Sequence, residues 1–225
     1  MILLLATLVI VIPAQRAYSQ KEPNEPAGFQ PPEVVSAGDV AYPPLSVAFG
    51  TVVLEVSLSD SGAVKSVNAL RPIESLTPAA IDAVRSWKYK PARLKGKAMA
   101  AHMTVAVTFN PAVVNPANVP LPPLVPSQDE ENRSPLVPPD VVSAAFSEYP
   151  VNGVAFGSVV LEATVDEGGA VKDIKALREI ASLTSQALQA LKKWEFSPAE
   201  LDGQRVPAKV AVAFVYKLPV HSVPH

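Results

Sequence analysis

His102, His221 and His225 are the three histidines of this 225-residue chain, which has no cysteine. Without thiols there is no disulfide framework, zinc–cysteine site, iron–sulfur cluster, cysteine nucleophile or lipoprotein cysteine anchor. His221 and His225 would meet at a metal only on a helix, and Pro219 and Pro224 disfavour one. His102 falls on the polar side of a strand pattern and has Lys209 as its counterpart in a repeated unit, so a shared acid–base or metal role is not expected and a solvated side chain is. No Ser, His and Asp set recurs between the two halves. The expectation is therefore no catalytic residue, no metal and no cofactor. With 19 basic and 21 acidic side chains, net −2, the chain offers no basic field for nucleic acid.

The elements that would position such residues come as a duplication. Residues 31 to 109 align without a gap on 138 to 216 at an offset of 107, with roughly 37 of 79 pairs identical. Pro31-Pro32-Glu33-Val34-Val35-Ser36-Ala37 returns as Pro138-Pro139-Asp140-Val141-Val142-Ser143-Ala144, and Val47-Ala48-Phe49-Gly50 as Val154-Ala155-Phe156-Gly157. Between the copies lie seven of the chain's 24 prolines and the run Asp129-Glu130-Glu131, a composition of semi-rigid, polyproline-type linkers. A unit of about 80 residues exceeds the 20 to 50 of solenoid repeats, so independent beads are expected.

Each copy shows the same succession of periods. Val52, Leu54, Val56 and Leu58 alternate with Val53, Glu55 and Ser57, the pattern of a strand with one buried face. Asp60-Ser61-Gly62, or Glu167-Gly168-Gly169, turns the chain into a second strand over Val64 and Val67 to Leu70. Thr77-Pro78 reads as a hydroxyl N-cap with proline at the first helical position, followed by Ala80, Ile81, Val84 and Trp87 on one helical face; Thr184, Ala187, Leu188, Leu191 and Trp194 repeat it. Pro91 and Pro198 stop the helix, and Met99 to Phe109, or Val206 to Tyr216, form a long last strand. The fold class is α+β: two copies of a three-stranded antiparallel sheet packed with one helix, in the order strand-strand-helix-strand. Trp87 and Trp194 read as structural core anchors.

Tyr42-Pro43, Gly50-x-Val52-x-Leu54-x-Val56, Gly62-x-Val64 and Ala83-Val84-x-x-Trp87-Lys88-Tyr89-Lys90-Pro91-Ala92 together resemble the carboxy-terminal domain of the TonB family. Tyr149-Pro150, Gly157-x-Val159-x-Leu161, Gly169-x-Val171 and Leu191-x-x-Trp194-Glu195-Phe196-Ser197-Pro198-Ala199 repeat the match. The resemblance implies a periplasmic, non-catalytic module that pairs its last strand with the TonB-box peptide of outer-membrane receptors and transmits force from an inner-membrane complex. Both copies lack about three residues of the family's turn between Tyr-Pro and the first-strand glycine. The proline-rich segment spans at most about 90 Å at 3.1 Å per residue.

Met1 to Ile12 is apolar, stops at Pro13 and is shorter than the roughly 20 residues that span a bilayer. With Ala17-Tyr18-Ser19 it reads as a signal peptide over 1–19 cut after Ser19, or, uncleaved and without a basic start, as a short anchor. The expected organisation is then 20–30 as a disordered mature N-terminus, domain one over 31–110, a proline-rich linker over 111–137, domain two over 138–218 and a tail over 219–225. Location in the periplasm follows from export, with inner-membrane anchorage the outcome if residues 1–19 stay on. The partners implied are outer-membrane receptor peptides or other envelope proteins; a scaffold bound to peptidoglycan is the alternative.

Pro207 stands where the first copy has Ala100, and a proline is tolerated on an edge strand. This places the last strand at a sheet edge, with the uninterrupted first copy as the better peptide-binding strand: Ala98, Ala100, His102, Thr104, Ala106 and Thr108, with His102 and Thr104 giving selectivity. The first copy carries 8 basic and 6 acidic residues over 31–109, the second 8 and 10 over 138–217. The opposite net charges fit either drift of solvated surfaces or beads that bind different partners or each other.

Overall fold

A computed structural model describes residues 28–111, 120–127, 134–150 and 154–217. The first repeat runs β1 (Phe29–Gln30), β2 (Glu33–Ser36), β3 (Gly50–Leu58), β4 (Val64–Arg71), α1 (Thr77–Ser86), β5 (Lys88–Lys90), β6 (Ala92–Leu94), β7 (Lys97–Met99) and β8 (Ala101–Phe109). The second runs β9 (Leu136–Val137), β10 (Val141–Ser143), β11 (Gly157–Val165), β12 (Val171–Arg178), α2 (Thr184–Leu191), β13 (Glu195–Phe196), β14 (Ala199–Leu201), β15 (Gln204–Val206) and β16 (Ala208–Tyr216). The α+β class and the duplicated strand-strand-helix-strand unit stand. The expected signal peptide and tail lie outside the described residues, whereas Phe29–Gln30, expected to be disordered, pair with β6.

Local chemistry explains the elements, with two adjustments. Leu76 and Leu183 occupy the helix N-caps without a side-chain bond. The Thr77 and Thr184 hydroxyls instead donate to the Ile73 and Ile180 carbonyls and accept from the N–H groups of the same residues, closing the turn ahead of each helix. The expected long last strand breaks at Ala100 and at Pro207 alike, because β6 and β7, like β14 and β15, form a tight hairpin first. Gly62 and Gly169 sit at φ +83° and +89°, and a Cβ there would meet the Tyr89 or Phe196 carbonyl oxygen at 2.5 or 2.1 Å. Only glycine lets the first hairpin's turn lie this close to the segment after the helix.

The two repeats do not form separate beads. One six-stranded sheet has the order β12-β11-β16-β8-β3-β4, antiparallel within each repeat and parallel where β16 meets β8, Ala211 opposite Val105 through Val215 opposite Phe109. A symmetric pair of last strands lying parallel puts the repeats on opposite faces, and the cores show it. Val84 and Trp87 cover Val52, Leu54, Val56, Val105 and Val107, and that core continues onto Val160, Ala211, Ala213 and Val215 of the second repeat. On the other face Leu191 and Trp194 cover Leu161, Ala163, Val210, Val212 and Phe214, and that core takes in Val53 and Ala106 of the first. All nine residues of β3 are therefore buried, not just the alternate set.

The proline-rich stretch is not a free tether where it is described. Leu136 is buried, β9 pairs with β14, and residues 120–127 lie against the first repeat.

Because the hydrogen-bonded seam and both cores cross between the repeats, cutting the chain within 111–137 should leave the halves together on size-exclusion chromatography and unfolding in one transition. Two separable fragments with unchanged denaturation midpoints would contradict the shared sheet. Trp87 and Trp194 are 3% and 4% exposed. Alanine at either should lower the stability of the whole molecule by about 3 to 5 kcal/mol in urea denaturation. The Trp194 Nε1–H donates to the Ala145 carbonyl at 3.0 Å while that of Trp87 finds no acceptor, so phenylalanine at 194 should cost more than at 87.

Candidate functional site

The residues expected to form a peptide-binding edge are dispersed. Ala98 lies on β7, and Ala100 sits exposed between β7 and β8. Ala106 and Thr108 are fully buried in the stretch of β8 that hydrogen-bonds β3 on one side and β16 on the other. Thr104 is equally buried and donates to the Pro139 carbonyl. The His102 side chain is 12% exposed, with Nδ1 3.4 Å from the Glu55 carboxylate, rather than solvated. The last strands are thus central over 105–109 and 211–215, and the edge placement is corrected there; β7 and β15 remain outer strands of the two three-stranded sheets. A signal for this was present: Val210 to Tyr216 is an unbroken apolar run, the pattern of a strand covered on both faces and typical of parallel pairing.

The free edges of the six-stranded sheet are β4 and β12, the second strands of the hairpins. Along β4 lies the chain's own proline-rich segment. Val125 N–H donates to the Leu70 carbonyl at 2.7 Å, and Arg71 Nη1 donates to the Pro122 carbonyl at 2.8 Å. The Ser127 hydroxyl reaches Glu55, and Leu121 packs on the α2-side core. Arg71 also holds Asp140 at 2.8 Å. Each edge carries lysines, Lys65 on β4 and Lys172 and Lys175 on β12, which oppose indiscriminate pairing.

Charge is concentrated where the N-terminal segment of one repeat crosses the sheet of the other. Glu33 bonds Lys90 at 2.5 Å and Lys209, and Lys209 reaches Glu162 at 3.1 Å. Glu162 in turn accepts the Val34 N–H at 2.8 Å. Asp39 accepts from the Ser158 N–H and hydroxyl and lies 3.4 Å from Arg178. Hydrogen bonds from Lys209 and Lys90 pull the Glu33 carboxyl down to about 2, from an ordinary 4.5. Burial works against the Lys209 charge, but the bonds to Glu33 and Glu162 outweigh it and raise that group above its ordinary value. Gln30, Pro31, Glu33, Lys90, Pro91, Arg93 and Lys209 line a cleft of about 340 Å³ here. Its lysines are neutralised by carboxylates, which makes it a cross-repeat clamp. Among the described residues no group of three or more acidic, histidine or cysteine side chains converges on a metal position.

The structure is thus a duplicated α+β module whose two outer sheet edges are β4 and β12. The family of the Gram-negative bacterial TonB protein C-terminal matches residues 45–111 and again 154–218, and the chain belongs to it. It is a TonB-family envelope protein, of a family that works through protein interaction and is periplasmic or envelope-associated. No curated protein and no solved structure matches the chain significantly. No helix among the described residues is long and apolar enough to cross a membrane.

A carboxyl lowered on folding stabilises fully above its unfolded value and loses that contribution as pH falls through its folded one. Stability should therefore drop from about pH 4.5 toward pH 2 as Glu33 protonates, and Glu33→Gln should flatten that part of the profile while lowering stability at neutral pH. Urea denaturation across this range reads it; parallel profiles would show that Glu33 contributes nothing.

Proposed function

We propose that this protein is a non-catalytic, periplasmic member of the TonB family that takes extended peptides of outer-membrane transport receptors as added strands, on the outer edges of its joint sheet. The observation that carries the reading is the proline-rich segment 120–127 already seated on β4 through Val125 and Arg71. An edge that accepts a passing chain through a backbone hydrogen bond, here from the Val125 N–H to the Leu70 carbonyl, offers a group that an added strand can use, with neighbouring side chains giving selectivity. The last strands are excluded as binding strands over 105–109 and 211–215 for as long as they pair with each other. The family's interaction role and the paired signal-peptide features support placement in the envelope.

Titrating the isotope-labelled protein with extended receptor peptides should move amide resonances of residues 64–71 or 171–178 and leave 105–109 and 211–215 unchanged. Binding that instead perturbs the central strands, or no binding at millimolar peptide, would overturn the proposal.

A further inference from the structure

The two outer edges have the same backbone and different cover. Both hairpins carry a bulge at the same place: Val53 pairs with Arg71 and Leu54 with Ala69, as Val160 pairs with Arg178 and Leu161 with Ala176. Leu70 and Leu177 are the extra residues, each packed against the core of the opposite repeat's helix. On β4 the Leu70 carbonyl takes the Val125 N–H, and Ser66 and Asn68 on the same face are half-buried. On β12 no turn or loop N–H among the described residues donates to the Leu177 carbonyl, and the counterparts Asp173 and Lys175 are exposed. Arg71 divides itself between Asp140 and the Pro122 carbonyl. Arg178 uses Nε on the Ser158 carbonyl and Nη2 near Asp39, and its Nη1 meets no partner among the described residues. β2 crosses this face over β12 and β16, bonds Glu162 and pairs only with β5, so no strand among the described residues pairs along the outer rim of β12.

We infer that the outer edge of β12 is a docking site for an extended, proline-containing segment of a partner protein, seated as 120–127 is seated on β4. The inference rests on the strand-addition reading and narrows it to one edge and one ligand class. The partner's backbone donates one N–H to the Leu177 carbonyl and offers one carbonyl to Arg178. Prolines suit the remaining positions: Pro120, Pro122, Pro123 and Pro126 flank the single donor of the seated segment. They hold the chain extended before it binds, which reduces the ordering cost, and their missing N–H groups are not needed on a one-sided edge. Asp173 and Lys175, in place of Ser66 and Asn68, present charges along the edge that distinguish it from β4.

The synthetic octapeptide of residues 120–127 is a direct probe. Added to the isotope-labelled full chain, it should shift amides of residues 171–178 saturably. Methylating the backbone nitrogen of its valine should weaken binding about tenfold through loss of one hydrogen bond, and Arg178→Gln should weaken it as well. Shifts confined to 64–71 would mean exchange with the chain's own segment, and equal binding of the methylated peptide would mean that the Leu177 carbonyl is unused. Either result, or no binding at millimolar peptide, overturns the inference; concentration-dependent dimerisation with shifts on β12 and no peptide present would replace the partner with a second copy. Receptor peptides that bind while the octapeptide does not would sink this inference alone. The octapeptide on β12 with receptor peptides silent would sink the receptor reading instead.

Discussion

The parallel pairing of β8 with β16 is the contact on which the rest of the structure depends. Two equivalent strands that lie parallel side by side are related by an axis within the sheet, so the repeats must turn opposite faces toward their own helices. Each three-stranded unit, half-covered by its own helix, then needs a cover on the other face. The partner repeat supplies part of it: Val160, Ala211, Ala213 and Val215 extend the α1 core, and Val53 and Ala106 extend the α2 core. Burial on both faces is what turns two marginal units of about 80 residues into one larger body with proportionately less exposed surface.

The same exchange explains where the two copies diverged. Glu33 of the first repeat meets Lys209 of the second, Arg71 meets Asp140, and Arg178 meets Asp39. Among the described residues three ion pairs thus run between the repeats, and in two of them one partner has no like-charged counterpart at the offset position: His102 stands at the position of Lys209, and Phe146 at that of Asp39. In two of the three the net positive first copy supplies the acid and the net negative second copy the base, so these contacts follow individual side chains and not the net charges of the copies. The pairs also orient the crossing segments, since Glu162 and Ser158 on the receiving sheet take backbone N–H groups of Val34 and Val40.

For binding, the seam has a direct consequence. A strand hydrogen-bonded on both sides has no ladder left to offer, so any strand addition moves to the rims of the sheet. There the repeats are unequal, because a single connecting segment can cover only one rim. The duplication is nearly symmetric in its backbone and asymmetric in what lies along its edges, and that asymmetry is the kind of difference a binding protein uses to separate its own chain from a partner's.

The order of elements, the duplication, the core indoles and the family were legible from residues alone, because they rest on local periods and turn chemistry: alternation in β3, the Thr77-Pro78 start, the glycine turns, and Trp87 and Trp194 closing apolar helix faces. The pairing of β8 with β16 was not read, although the apolar run from Val210 to Tyr216 hinted at it. Alternation tells which side of a strand is buried by its own helix; it does not say what covers the other side or which strand lies beside an edge. His102 was misplaced for the same reason, since the Glu55 carboxylate that holds it lies across the sheet. Local sequence determined the repeat unit, and the tertiary structure decided how two units join, because that choice depends on complementarity between surfaces more than 100 residues apart along the chain.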